Sequence, residues 1–540
     1  MAALPGFDLK SHGFSFENYG DTEPNLQLPL YIKNSPTPTN LTSEDVKRMF
    51  GDQVCGSNAD GECTLTPPYQ KWMEEHNTSM NGGHCDGMAA LSLLLYGDIK
   101  GKRSEFGGQN AYALKITENQ KLQREIAYWF STQNTQPTRN SVLKITPMDV
   151  ITKLKESFQA VKEGKASELY TMSIYSREMK GGHAITPYAV KDLGDEQYEI
   201  LVYDSNIPEK PQAVKVDGNT NTWKYDIWED IEYDLGGGST LPIPKNLYKG
   251  IYEGDAQTKT LRLKNAIKRL VTPQECDFCL NDQNTALKTT GQKSNQIKYN
   301  QIWKEGEGEL LITDSQGRRF GYVNGKLVEE IPGVEMDTIQ TAEPWEDISP
   351  QIYYVPLGIQ FSLTIDGSNV KNETETAITM FGPGYDLGIE EIKLDPGQKD
   401  TLTLSPDGQT LTYKTNGNES PTIDIGFESA GPDYGFSLKG VDLDGGGVIN
   451  VNLDKTKGVL SFDTKQNQKP GTYALLMERI NDQGEQTFYH DNIRLNPNDI
   501  ASLDYKKWSG EGGVLQLKID RGGQGSTIDT IELTDEEEKA

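Results

Sequence analysis

Three short segments carry side chains that can do chemistry together. In NGGHCDGMAALSLLLY (81–96), Cys85 follows the glycine pair Gly82–Gly83 and opens a run of good helix formers. That run is apolar on nearly every face, which is the pattern of a buried central helix. A sulfur at a helix N-terminus meets unpaired N–H groups and the positive end of the helix dipole. Both favour negative charge there and can stabilise an oxyanion beside it. The second segment, GGHAITPYAV, places His183 at the start of a strand after another glycine pair. Its ring can then project from the sheet end into a cleft. The third is YDSNIP, where Asp204 closes the returning strand and Asn206 follows two residues later.

The chemistry these three residues suggest is nucleophilic catalysis by a thiol. A hairpin centred near residues 193–194 would pair position 183 with position 204. Directly opposed side chains lie ~4.5–5.5 Å apart at Cβ, so Asp204 would orient His183 and stabilise its imidazolium opposite a Cys85 thiolate. Asn206, on the same face, is the alternative orienter. His84, next to the cysteine, reads as a cleft-wall residue, and Trp72 and Trp129 as core aromatics.

In this order, with the nucleophile opening a buried helix and the base and orienter on adjacent antiparallel strands, the chain resembles the papain-like cysteine peptidase superfamily. It is most similar to variants with Gly-His opening one strand and Asp closing the next, such as the double-glycine leader peptidases of bacterial exporters and transglutaminase-like domains. The resemblance covers about residues 45–260. It implies Cys85 as nucleophile, His183 as general base and acid, and Asp204 as orienting acid, with no cofactor and no metal. Papain-like enzymes usually carry a Gln six residues before the nucleophile as an oxyanion donor. Here that position is Ser79, and Asn77 and Asn81 are nearby; Asn81 is the candidate substitute donor.

These residues need elements to hold them. TPPYQKWMEEHN has Thr66 as N-cap and Pro67 at the first helical position. ENQKLQREIAYWF reads as an amphipathic helix. TPMDVITKLKESFQAVKEG starts at Thr146–Pro147 and spaces Val150, Ile151, Leu154, Phe158 and Val161 for one apolar face. Strands follow at 169–176, 183–190 and 198–204, the last two as a hairpin across KDLGDEQ. Residues 258–270 read as one more helix. Beyond about residue 300 helical periodicity ends. Short alternating strands there, with turn signals every ~8–12 residues, indicate β-sandwich modules, and a hairpin is expected to turn at Asn324–Gly325.

The expected fold class is therefore multidomain: an α+β papain-like N-terminal domain followed by all-β sandwich domains. The expected division is an extended N-terminal segment (1–44), a peptidase domain (45–295), a small β segment and linker (296–348), two sandwiches (349–435 and 436–530) and an acidic tail (531–540). The tail, TDEEEKA, reads as solvated and mobile.

Composition narrows the partners. Of 540 residues, 80 are Asp or Glu and 53 are Lys or Arg, for a formal net charge of −27. Such a chain repels phosphate backbones and anionic lipid heads, which argues against nucleic-acid and membrane-surface binding. No stretch approaches the ~18–20 apolar residues of a membrane span, so no membrane insertion is expected. The expected partners are a peptide or protein substrate and a surface or protein partner of the C-terminal β modules. DLDGGGVINVNLD (442–454) packs acids around glycines that could bind calcium through carboxylate oxygens, but it lacks the spacing of a calcium loop and reads rather as an Asp-Gly turn. GGGST (236–240) lacks the Gly-Lys-Ser/Thr of a phosphate cradle.

Five cysteines are present. Cys55 with Cys63, and Cys276 with Cys279, read as two disulfides, with free thiols or a four-thiolate zinc site as alternatives. Disulfides favour an extracellular or cell-surface location. The N-terminus MAALPGFDLKSHGFSF does not read as a signal peptide, which favours the cytoplasm instead. The functions to weigh are a cysteine endopeptidase, a transglutaminase-like transamidase, and a catalytically degenerate papain-like fold serving as a binding or structural surface protein.

Overall fold

In the computed structural model, Thr146 caps the helix Pro147–Lys162 through a reciprocal exchange with Asp149. Two backbone donors that a helix start leaves orphaned are thereby satisfied. Asn119 caps Gln120–Ser131 by accepting from the Leu122 N–H, and Pro67 opens Pro67–Ser79. The three helices expected around the site are all present. The structure describes residues 1–20, 39–97, 105–165, 168–226, 232–234, 240–242, 252–280, 298–341, 349–405, 408–465 and 467–536. Most of the Pro-rich stretch near the N-terminus and of GGGST lies outside them.

The chain forms two compact units. One comprises Met1–Asp52, Met73–Cys276 and Asp337–Ser349; the other comprises Gln53–Trp72, Asp277–Met336 and Pro350–Ala540. This division differs from the expected blocks in three ways. The N-terminal segment is not merely an extended approach: Ala2–Ala3 pairs with the strand Gly182–Gly194, and Leu9–His12 is a short helix. Residues 337–349 of the expected linker belong to the first unit, and Gln53–Trp72 belongs to the second. The last assignment has a physical cause. The small hairpin of Cys55–Ser57 and Thr64–Leu65 is closed by the Cys55–Cys63 disulfide. It is tied to its own unit by a hydrogen bond from Thr66 Oγ1 to Glu428 Oε1.

The first unit is built on an eight-stranded antiparallel sheet. In hydrogen-bonding order its main path is Glu253–Asp255, Thr222–Lys224, Gln212–Asp217, Gln197–Tyr203, Gly182–Gly194, Tyr170–Tyr175 and Leu261–Asn265. The core against it takes Val150, Ile151, Leu154 and Phe158 from the helix Pro147–Lys162, together with Met172, Ile174, Ile185, Ile200 and Val202 from the sheet. The helix expected over 258–270 is instead the strand Leu261–Asn265 followed by a short 3-10 turn, Ala266–Leu270. Leu261 and Leu263 alternate into the core while Arg262 and Lys264 are also buried. A sequence that is buried on both faces and paired with Tyr170–Tyr175 is held as a strand.

The second unit is all-β apart from short turns and the start of the helix Pro67–Ser79. Eleven strands between Glu309 and Leu533 form one sheet. A second sheet includes Gln351–Pro356, Tyr299–Gly306, Thr374–Gly382, Tyr385–Leu394, Thr422–Phe427, Asp433–Lys439, Gly471–Asn481 and Gly484–Leu495. Aromatic pairs meet between the two sheets, Phe320 with Tyr353 and Phe462 with Tyr473, as in a sandwich core. The expected break at 435/436 falls inside the strand Asp433–Lys439, which is paired on both sides within one sheet. The sandwich is therefore continuous across the two expected modules. The hairpin of Arg319–Val323 and Lys326–Glu329 turns at Asn324–Gly325, both with positive φ. The acidic tail is anchored as far as it is described: Asp535 accepts from the N–H groups of Tyr489 and Gly512, and the Glu536 N–H donates to Tyr489 O. Asp444 in the Asp-Gly-rich loop pairs with Lys469 and accepts from the Gln468 N–H.

Candidate active site

Cys85 is the first residue of the helix Cys85–Tyr96, whose residues from Cys85 to Leu95 are all buried. A neighbouring helix, Gln120–Ser131, packs against it so closely that a Cβ on Gly87 would lie 2.2 Å from Ile126 O. Only glycine fits there. Ser92 Oγ and Thr186 Oγ1 lie 3.0 Å apart, and Thr186 Oγ1 donates to Ala89 O. These contacts fix the helix on the strand Gly182–Gly194, so the depth of Cys85 relative to His183 is set by packing.

His183 occupies the second position of that strand and lies opposite Ile174. Asp204 follows the last residue of Gln197–Tyr203. The hairpin between the two strands turns at Asp195–Glu196, both with positive φ, and carries register shifts at Pro187/Ala189 and Asp192/Gly194. The final pair in the ladder is Thr186 with Tyr203. His183 and Asp204 are therefore not directly opposed, contrary to the expectation from a turn at 193–194. They meet beyond the end of the ladder, where His183 Nε2 is 2.8 Å from Asp204 Oδ1.

Asp204 is fully buried and well satisfied. Besides His183, Oδ1 accepts from the Asn206 N–H at 2.7 Å, and Oδ2 accepts from the Tyr225 hydroxyl. Burial alone would raise its pKa. The His183 charge and the hydrogen bonds from His183, Tyr225 and Asn206 outweigh that effect and hold it below the usual aspartate value. Asn206, the alternative orienter, thus contributes to the site through its backbone, and the carboxylate bonded to the imidazole is that of Asp204.

With Nε2 held by Asp204, the other ring nitrogen, Nδ1, is buried without a hydrogen-bond partner. The Cys85 thiol lies within interaction reach of the ring. Burial by itself would push the imidazole pKa down. The charges of Asp204 and Cys85, with the hydrogen bond to Asp204, reverse this and carry it up to about 10. The imidazolium is therefore the stable form over the neutral range. The Ala184 N–H, adjacent to His183, donates to Cys85 Sγ at 3.3 Å, a contact that favours sulfur carrying negative charge.

His84 is the N-cap residue of the cysteine helix and is fully buried. Its ring stacks on Tyr19 at 4.2 Å, Nδ1 is 2.6 Å from Tyr19 O and Nε2 is 2.9 Å from Asn40 Oδ1. Burial lowers its pKa to about 4, against the opposing bond to Tyr19, so it is neutral and holds the N-terminal segment to the helix start. Ser79, at the position of the usual oxyanion glutamine, bonds back to Glu75 O. Asn77 is engaged with both backbone groups of Leu41. Asn81 lies on the 3-10 turn Met80–Gly82 leading to the helix.

Several residues at the site lie far from the three motifs. Asn18 accepts from the His84 N–H and donates to Thr341 O. Gln133 Oε1 accepts from the Gln340 N–H. Gln340 O lies 3.2 Å from Cys85 Sγ. Below the cysteine, Asp86 is fully buried and paired bidentately with Arg269, with Lys264 3.9 Å away. Asn18, Gln133, Gln340, Arg269 and Lys264 have no local signature, because each is recruited by chain return.

Of the five cysteines, Cys85 is free, Cys55 is bonded to Cys63, and Cys276 and Cys279 are also in disulfide form. Among the described residues no group of three His, Cys, Asp or Glu side chains is placed to hold a metal ion, and no helix is long and apolar enough to cross a membrane. No protein-family model, curated protein or solved structure matches this chain.

Proposed function

We propose that this protein is a papain-like cysteine peptidase that cleaves peptide or amide bonds through Cys85, His183 and Asp204. The observation that carries the reading is the pairing of His183 Nε2 with Asp204, while Nδ1 is left to the side where Cys85 lies. That pairing leaves Nδ1 to serve the sulfur. The thiolate attacks a carbonyl carbon, the His183 imidazolium protonates the leaving amine, and water then releases the acyl group from sulfur. Asp204 holds the ring and stabilises its charge, and Tyr225 and the Asn206 N–H hold Asp204. The Ala184 N–H steadies the sulfur between turnovers. The helix start supplies dipole stabilisation for the oxyanion, with Asn81 proposed as the side-chain donor.

The disulfides fit an oxidising compartment, and we assign the protein to the extracellular space or cell surface. The β unit supplies surface for a protein partner. A transamidase would use the same sulfur and base but pass the acyl group to an amine.

The test is to trap the acyl-enzyme. The full chain is mixed briefly with an activated peptide ester, quenched in acid and mapped by mass spectrometry. The acyl mass is expected on Cys85 alone. Acylation elsewhere, or none, overturns the reading. Incorporation of a labelled amine in preference to hydrolysis reassigns the acceptor.

A further inference from the structure

The cleft is already filled by the chain itself. Ile339 and Gln340 are fully buried, as are Cys85 and His183. The backbone of this strap is fastened on both sides of the sulfur. Gln340 N–H donates to Gln133 Oε1 at 2.9 Å, Gln340 O faces Cys85 Sγ at 3.2 Å, and Thr341 O accepts from Asn18 Nδ2 at 3.0 Å. Upstream, Thr338 Oγ1 donates to Met179 O, and Asp337 accepts from the Tyr175 hydroxyl.

The glycines that frame the chemical residues make room for this strap. Gly83 has φ +127°, and a Cβ there would stand 2.2 Å from Thr341 O. A Cβ on Gly182 would meet Gln340 Cγ at 3.3 Å. The side chain of Gln340 enters a polar pocket, where its Oε1 accepts from Ser173 Oγ and from Lys264 Nζ, each at 3.1 Å. Its Nε2 is buried with no partner. Burying an unpaired donor is unfavourable, so the strap is held in the cleft with one polar group frustrated, a condition that its departure relieves.

Resting on the peptidase reading above, we propose that residues 339–341 are the enzyme's first substrate, and that Cys85 cuts its own chain between Gln340 and Thr341. With the thiol proton held on His183 Nδ1, the Cys85 thiolate sulfur bonds to the Gln340 carbonyl carbon. The C–N bond to Thr341 breaks, and the imidazolium gives its proton to the departing amine of Thr341. Water then hydrolyses the Gln340 thioester, leaving a C-terminal carboxylate on Gln340 and a thiol on Cys85. The pocket of Ser173 and Lys264 reads the carbonyl oxygen of a glutamine side chain, so the substrate class of the opened site is peptides with glutamine on the acyl side of the cut bond.

The experiment is intact-mass analysis, under denaturing conditions, of full-length protein incubated after purification. Wild-type chain is expected to yield residues 1–340 and 341–540, with Thr341 as the new N-terminus. The rate should be independent of protein concentration. Cys85→Ala should remain whole, and Gln340→Ala should cut at least tenfold more slowly. A peptide MDTIQTAEP, spanning residues 336–344, added to the cut protein should be cleaved after its glutamine. A wild-type chain that stays whole overturns the proposal. If that whole chain still hydrolyses casein in a Cys85-dependent manner, the peptidase reading stands without it; if it hydrolyses nothing, both fall. Cutting at 340/341 that persists in Cys85→Ala also overturns it.

Discussion

His183 Nε2 and Asp204 Oδ1 are 2.8 Å apart although the two residues do not oppose one another in the hairpin ladder. The ladder ends at Thr186 and Tyr203, and the side chains meet in the space beyond it. Their contact therefore depends on packing around the carboxylate, which Tyr225 and the Asn206 N–H complete.

Asp204→Asn keeps the shape of this contact and removes its charge. We expect kcat/KM to fall by about 10²–10⁴-fold. Because the Asp204 charge raises the His183 pKa, the alkaline limb of the pH–rate profile should also move to lower pH in the variant. Asn206→Ala keeps the backbone donor and should cost much less. A larger loss in Asn206→Ala than in Asp204→Asn would make Asn206 the orienter. A pH–rate series on the three proteins measures all of this.

The raised imidazole value also predicts how stability depends on pH. The ordinary histidine value is 6.5 and the folded value about 10, so the folded chain binds the proton more tightly than the unfolded one. The stabilisation is fully present below pH 6.5 and is lost as pH rises toward 10. Urea denaturation of wild type and His183→Gln across that window should show wild type losing its advantage as pH rises. Parallel curves would contradict the assignment.

Asp86 supports the site from beneath. Its carboxylate is buried with Arg269 and Lys264, which are also buried. Asp86→Ala removes the carboxylate opposite these buried cations and should destabilise the protein by about 3–5 kcal/mol. Equilibrium denaturation checks the loss, which should appear whether or not substrate is present.

How much of this could be read from the sequence follows from where each signal resides. Thr146 with Asp149, and Asn324 with Gly325, act on neighbouring residues, so local pattern reports them. The buried cysteine helix is visible because its apolar residues cover every face. The Cys85, His183 and Asp204 motifs each sit at the end of an element, which is why their order suggested a common cleft.

The turn position conceals the register, since neither Asp195 nor Glu196 is a glycine to mark the left-handed turn there. The strand Leu261–Asn265 looked helical because Arg262 and Lys264, ordinarily solvent-facing, are buried here. Asn18, Gln133, Tyr225 and Gln340 reach the site only through chain return, and no spacing in the sequence records that. The continuity of the sandwich is hidden by uniform turn spacing, with successive strands divided between two long sheets.

The most direct test of the central claim is peptide turnover by Cys85→Ala measured alongside its thermal unfolding. Hydrolysis should disappear while the unfolding midpoint stays within a few degrees of wild type. Hydrolysis that survives the substitution, together with a large drop in the midpoint, would contradict that claim and make Cys85 a packing residue.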